Sequence, residues 1–162
     1  MKNKVPIKNN LNPIFKEKII MPFKLDKMPE AVHNLNIKVM DHDGMTGNDI
    51  LGTVEIDIKP CLSQPSVYAI NQIFPMEVPE ELAENKNNLH RTGDSEIYLQ
   101  IKYMPKGVAD DGVDAPMKED LGRTLTNNER NGKLIVRVKY ACGLLKTDDG
   151  AKSGGCDPYV KI

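Results

Sequence analysis

Neither sign of charge dominates this sequence: 22 Lys and Arg stand against 23 Asp and Glu, for a formal net charge of -1. Tracking a nucleic-acid backbone needs an excess of Lys and Arg over one surface. Nucleic acid is therefore excluded as a general partner, and any anion must be met locally. Long hydrophobic runs are missing too. No stretch of about 18 apolar residues occurs, and Met1 to Pro6 leads into no apolar segment of the kind that opens a secretory signal. The expectation is a cytoplasmic protein whose membrane contact, if it has any, is peripheral. Cysteine is scarce and odd in number: Cys61, Cys142 and Cys156 form no CxxC pair and no zinc-like cluster, so they read as reduced thiols. A glycine-rich phosphate loop is absent, and His33, His42 and His90 sit in no visible triad, so no catalysis is expected.

What the sequence does contain is a period of two. Leu35, Ile37 and Val39 alternate with Asn36, Lys38 and Met40, and the run ends at Asp41. Val54, Ile56 and Ile58 repeat the pattern, as do Ile97, Leu99, Ile101 and Tyr103, and Leu134, Val136, Val138 and Tyr140. Each is a strand with one apolar face. Shorter runs, Lys4 to Lys8, Phe15 to Met21, Tyr68 to Met76 and Tyr159 to Ile162, are bounded by Pro, Asn and Gly and fit as further strands. The total of about eight, in a chain of 162 residues, predicts an all-β, eight-stranded antiparallel sandwich. Glu77 to Leu89 predicts a short surface helix. Pro105 to Asn131, rich in Gly, Asp, Asn and Lys, reads as a linker between two units or as a long connection between neighbouring strands.

The densest chemistry lies between two of these strands, in Asp41-His42-Asp43-Gly44-Met45-Thr46-Gly47-Asn48-Asp49. Three carboxylates on one turn repel each other unless a cation sits among them, and the loop contains no Lys or Arg. A flexible loop of carboxylate and carbonyl oxygens suits calcium better than magnesium. The bland alternative is a turn that uses Asp, Asn and Gly for their backbone habits. An EF-hand is excluded by spacing, because Thr46 stands where glycine is needed and Gly52 where glutamate is needed. A second acidic loop runs from Thr147 through Asp148 and Asp149 to Asp157.

The end of that second loop, Asp157-Pro158-Tyr159-Val160-Lys161-Ile162, resembles the Asp-Pro-Tyr-Val-Lys segment of C2 domains, the calcium and phospholipid modules of synaptotagmin and protein kinase C. Three other stretches are similar to the same family. Lys8-Asn9-Asn10-Leu11-Asn12-Pro13-Ile14-Phe15 looks like its Leu-Asn-Pro turn, Val39 to Gly52 like its third calcium loop, and Gly132 to Leu144 like the strand entering its first calcium loop. The resemblance implies a C2-type Greek-key sandwich that binds calcium and docks on anionic phospholipid membranes. It implies Asp41, Asp43, Asp49 and Asp157 as calcium ligands, with Asp148 and Asp149 both candidates for one further position and Asp149 the nearer by spacing. Met45 falls where the family places a residue that inserts into the bilayer. Lys2, Lys4 and Lys161 fall where it often carries a basic patch.

Strand order departs from the family. The Asp-Pro-Tyr-Val strand normally precedes the Leu-Asn-Pro turn, whereas here it follows it by most of the chain. Residues 1–104 then supply the later C2 strands, 105–131 the linker, and 132–162 the opening strands that complete the same sandwich in permuted order. The same strands exchanged with a second copy would give a swapped homodimer. The rival to calcium-dependent lipid binding is a calcium-independent module that keeps the sandwich and meets protein partners.

Overall fold

The computed structural model describes residues 6–24, 33–42, 47–85, 88–89, 93–108, 130–147 and 155–162. Among the described residues, seven strands and two short helices follow one another: β1 (Glu17–Lys24), β2 (Asn34–Asp41), β3 (Ile50–Asp57), α1 (Lys59–Ser63), β4 (Ile70–Pro75), α2 (Glu80–Ala83), β5 (Glu96–Pro105), β6 (Asn131–Cys142) and β7 (Pro158–Lys161). The strands make two antiparallel sheets, β1-β6-β5-β4 and β3-β2-β7. The result is the expected all-β sandwich with a slightly different strand count.

The four clear alternations become β2, β3, β5 and β6, and their apolar positions point into one core. Ile37, Val39, Ile56, Ile97, Leu99, Ile101, Tyr103, Leu134, Val136 and Val138 are all essentially inaccessible. Side chains alternate across a strand, so burial of one parity from each sheet fixes the register of both. At about 25 cal/mol per Å² of apolar surface removed from water, this core is the main force holding the sheets face to face.

Strands from both ends of the sequence share each sheet. β6 pairs with β1 (Ile19 opposite Val136) and with β5 (Ile101 opposite Val136), and β7 pairs with β2 (Val39 opposite Val160). β5 and β6, which flank the 105–131 segment, are thus hydrogen-bonded neighbours. Gly132 allows their close approach: a Cβ there would stand 2.1 Å from the Met104 carbonyl oxygen.

Some expectations need correction. The run Lys4 to Lys8 was expected as a strand, but its described residues, 6–8, lead into a turn at Lys8 and Asn9, where Asn9 has a φ of 50°. Among the described residues of this stretch, the Ile7 N–H, donating to the Pro158 carbonyl at 3.0 Å, is the backbone tether to β7. The strand expected at Phe15 to Met21 begins instead at Glu17, because the Phe15 and Lys16 N–H groups are both taken by the Lys139 carbonyl. The Glu77 to Leu89 region does contain a helix, reduced to Glu80–Ala83. Helix α1 has no counterpart in the sequence reading; it buries Cys61 and Leu62 beneath the sheets.

The outward face of β5 is covered as well. Residues 64–69 cross it, tied by the Ser66 N–H to the Tyr103 carbonyl at 2.7 Å. The Tyr68 ring lies 4.6 Å from both Lys102 Nζ and Arg137 Cζ, a cation–π arrangement that accommodates a Lys102 side chain only 1 % exposed.

Candidate functional site

Asp41 occupies the next inward position of β2 after Leu35, Ile37 and Val39, so the alternation that builds the core also drives this carboxylate inside. It is 1 % exposed. A buried carboxylate needs hydrogen-bond donors, and both of its oxygens have one. Oδ1 accepts from the Asp157 backbone N–H at 2.6 Å, and Oδ2 accepts from the Thr147 hydroxyl. The Asp157 carbonyl in turn accepts from the His42 N–H at 3.1 Å. Two residues 116 positions apart are thereby locked together at the end of the three-stranded sheet.

The loops around this lock are closed from several sides. The register shift opposite Val39 and Met40 leaves Leu51 as the extra residue of a bulge in β3, and the Asp41 N–H donates to the Asp49 carbonyl at 2.8 Å, so Asp49 comes back beside Asp41 with its own side chain exposed. The Thr147 N–H donates to the Gly155 carbonyl at 3.0 Å and closes the second loop. Gly155 has a φ of +136° and lies against Leu11, where a Cβ would come within 2.7 Å of a leucine methyl; this position requires glycine.

The Leu-Asn-Pro turn wedges between β6 and β7. The Ala141 N–H donates to Pro13, the Leu144 N–H to Leu11 and the Gly143 N–H to Asn12 Oδ1, while on the other side Asn10 donates to Cys156. The Asp157 side chain belongs to the same junction: its Oδ1 accepts from the Asn9 N–H at 2.9 Å. Asn88, buried, gives its amide to the Leu82 and Lys146 carbonyls and accepts from the Lys146 N–H, which staples the second loop to the α2 region.

Of the residues the sequence singled out, Asp41, Asp49 and Asp157 therefore meet at one end of the sandwich. Asp43, Asp148, Asp149, Met45, Lys2 and Lys4 lie outside the described residues. The donors at this end are oxygens, the ligand type a hard divalent cation takes. Among the described residues, no group of three or more His, Cys, Asp or Glu side chains is arranged to hold a metal ion. Lys161 is exposed on β7, and its Cα partner across the ladder is Lys38, so the one described member of the expected basic patch is joined by a second lysine. Sequence reasoning missed Thr147, Asn9 and Lys38. Only Lys38 had a local signal, its outward place in the alternation; the other two act on partners more than 100 residues away.

All three cysteines are free, and Cys61 and Cys156 are buried. Burial pushes the Cys61 thiol up to about 12, with a lesser contribution from the nearby Asp57 charge, so it is no nucleophile at neutral pH. No helix among the described residues is long and apolar enough to cross a membrane.

Comparison with known proteins agrees with this architecture. The chain is 27% identical over 138 residues to the ADP-ribosylation factor GTPase-activating protein AGD12 of Arabidopsis thaliana, a match covering 83% of the chain and 34% of that protein. It is 23% identical over 136 residues to the probable ADP-ribosylation factor GTPase-activating protein AGD13 of the same plant, covering 82% of the chain and 33% of the relative. The chain thus spans about a third of the length of these relatives. No solved structure matches it significantly. Residues 1–75, which hold the Leu-Asn-Pro turn, Asp41 and the first four strands, match the family model of the C2 domain, a family of modules that meet lipid surfaces or protein partners.

Proposed function

We propose that this chain is a calcium-dependent module that docks peripherally on anionic phospholipid membranes, through the end of the sandwich where Asp41, Asp49 and Asp157 converge. The observation that carries this reading is the junction of Asp41 with Asp157, which gathers acidic loops from distant parts of the sequence at one tip. Asp41 acts as the positioning residue, because its carboxylate fixes where Asp157 and Thr147 stand. Asp49, exposed, and the second oxygen of Asp157 are the described groups suited to a cation; Asp43 with Asp148 or Asp149 would complete the set. Bound calcium supplies the positive charge and open coordination sites that lipid phosphates fill. Without it, the clustered carboxylates repel an anionic surface. Met45 enters the bilayer, and Lys38 with Lys161 adds local attraction. The module binds rather than catalyses, and its place is the cytoplasmic side of a membrane. Strands β6 and β7 complete the sandwich of their own chain in permuted order, so no exchange with a second copy is required.

Vesicle co-sedimentation tests the reading. Phosphatidylserine-containing vesicles should pellet the protein with calcium and not with chelator, and Asp49→Asn together with Asp157→Asn should abolish the difference. Equal pelleting in both conditions, with no heat of calcium binding by calorimetry, sinks it.

One observation favours the rival, a calcium-independent protein-interaction module. Both Asp41 oxygens are already engaged by protein donors, so this carboxylate is satisfied without a metal. On that reading calcium changes neither the melting temperature nor vesicle binding.

A further inference from the structure

A sheet edge presents a row of backbone N–H and C=O groups, and proteins blunt such edges with charge, with proline or with a covering segment. Among the described residues the sandwich has four edges, β1 and β4 in one sheet and β3 and β7 in the other. Three of them are blunted. β1 carries Lys18 and Lys24 and has Pro22 inside its span. β3 carries Glu55 and Asp57, and its Thr53 exchanges backbone hydrogen bonds with Glu77 on the side away from β2. β7 ends on Lys161, and its Pro158 carbonyl is taken by the Ile7 N–H. β4 has none of these devices along its middle: Ile70-Asn71-Gln72-Ile73-Phe74-Pro75 holds no charged residue, and its proline stands at the end.

The register of β4 on β5 shows which of its backbone groups face outward. Hydrogen-bonded and non-hydrogen-bonded pairs alternate along an antiparallel ladder. The Met76 N–H donates to the Ser95 carbonyl at 2.8 Å, one step past the Pro75–Glu96 pair. Phe74–Ile97, Gln72–Leu99 and Ile70–Ile101 are therefore the hydrogen-bonded pairs, and Asn71 and Ile73 turn their N–H and C=O away from β5. Among the described residues, no backbone hydrogen bond reaches either from the open side. Pro75 falls on the same outward parity, so its missing N–H costs the β4–β5 ladder nothing. The Asn71 side chain is held over β5, where its Oδ1 accepts from the Tyr98 hydroxyl at 2.7 Å and from Gln100 Nε2 at 3.0 Å, and so leaves the edge clear. Ile73 is 47% exposed there.

This edge is complementary to itself. When β4 lies antiparallel to β4 of a second copy with Gln72 on the two-fold axis, the outward residue Asn71 of each copy stands opposite Ile73 of the other, and every open N–H meets an open carbonyl. On the core side the same register sets half-buried Phe74 opposite Ile70 of the second copy, an aromatic and β-branched pair of the kind that stabilises sheets. No charge meets a like charge across the axis, which self-pairing of β1 or β3 could not achieve. Each copy has one such edge, so the pairing closes at two and does not propagate.

We propose that β4 is a self-association edge, which joins two copies of this chain into a closed dimer with one continuous sheet, β1-β6-β5-β4 running into its two-fold mate. A two-fold axis normal to the sheet reverses strand direction, so the two acidic tips stand at opposite ends of the dimer. One strand edge buries less than the about 1,200 Å² at which standard stable complexes begin, which makes the dimer a weak one. The proposal does not rest on the calcium reading, and it is assayed in chelator without lipid, so the two can fail separately.

The test is sedimentation equilibrium of the chain in EGTA over a rising concentration series. The unmodified chain should pass from monomer to dimer and go no further. Gln72 is exposed, so Gln72→Lys and Gln72→Glu should keep the melting temperature; each sets like charges face to face on the axis and should weaken the dimer about fivefold. An equimolar mixture of the two variants should restore it, because opposite charges then meet. Hydrogen exchange supplies a second readout: the Asn71 and Ile73 amides should slow as concentration rises, and those of β1 should not change. A chain that stays monomeric at every concentration overturns the proposal. So do assembly beyond two copies, a dimer untouched by either variant, a mixture no tighter than the single variants, or exchange that slows on β1 instead of β4.

Discussion

The two sheets are built alike on the inside and differently on the outside. Inward, β1-β6-β5-β4 and β3-β2-β7 both present apolar residues at alternate positions, and these interlock in one core. Outward, β1 and β6 carry Lys18, Lys24, Lys133 and Arg137, whereas β2, β3 and β7 balance Lys38 and Lys161 with Glu55 and Asp57. The three-stranded sheet spends its distinctive chemistry at one end, where Asp41 turns a core position into a clamp. The lesson is that alternation dictates the fold through one parity and leaves the other free, so function has to be read from the outward positions and from any inward position that breaks the apolar rule.

The sharpest way to break the comparison is through one glycine from each sheet. At Gly132, in the four-stranded sheet, an added Cβ meets the Met104 carbonyl oxygen, which the β5–β6 ladder holds in place, at 2.1 Å and the Tyr103 hydroxyl at 2.8 Å. Gly132→Ala should cost about 3 kcal/mol or more, the range of overpacking that forces backbone to move, read from the denaturant midpoint. At Gly52, in the other sheet, the nearest atoms belong to the Met76 side chain, from 3.0 Å outward. Methionine adapts, so Gly52→Ala should cost about 1 kcal/mol or less. Equal losses would mean that the sheets do not differ in how tightly their strands are joined.

Next in size is the clamp. Asp41→Ala strands the Asp157 N–H and leaves the Thr147 hydroxyl with its longer bond to the Gly155 carbonyl at 3.3 Å, with an expected loss of about 2–3 kcal/mol. Asp41→Asn keeps an acceptor and should lose less. Hydrogen exchange sharpens the contrast: protection should fall at Val160 and Val39 while Val136 and Ile101 hold theirs. A uniform fall would show that the clamp stabilises both sheets alike.

Cys61 gives a smaller, pH-dependent effect. Its thiol is pushed up to about 12 from 9.0 by burial, so between those values the unfolded chain ionises while the folded one does not. Stability that is complete below pH 9 should therefore decline as pH rises, by about 1 kcal/mol near pH 10. Cys61→Ser should flatten that slope in alkaline melts, and native Cys61 should resist alkylation at neutral pH. The smallest effect is Lys38→Glu, which replaces a like-charge cross-strand pair with an opposite one and should stabilise the β2–β7 pairing by about 0.5 kcal/mol. That gain should shrink in high salt.

The core strands were legible because Leu35-x-Ile37-x-Val39 and its counterparts state their parity without help from elsewhere. Asp41 was legible as acidic loop chemistry, and its burial follows from the same count of alternate positions. What could not be read depends on distant partners. Helix α1, five residues with a proline at its start, is too short to show a period, and the β5 it packs beneath lies some 40 residues on. Lys102 and Gln100 occupy outward positions of β5 and would be expected at the surface; the Tyr68 ring covers Lys102, and Gln100 donates to Asn71 Oδ1 on neighbouring β4. Lys4 to Lys8 alternates like a strand, yet Asn9 turns the chain before its described residues can pair along β7. Thr147 gave no sign of its bond to Asp41, since a hydroxyl in a loop carries no signature of a carboxylate 106 residues earlier.

The pairing of β2 with β7 also governs when the protein can fold. Val39 opposite Val160, and Asp41 on the Asp157 N–H, are contacts between segments separated by most of the chain. Closing so large a loop carries an entropic penalty before any contact rewards it, and such topologies fold slowly. As the chain leaves the ribosome, β2 and β3 can pair early as a hairpin, but the carboxylate of Asp41 stays without its donors until residues 147–157 emerge. The acidic tip is the last part of the sandwich to be assembled, and β2 waits through synthesis with an open edge, the state in which such chains are most prone to pair with a neighbour.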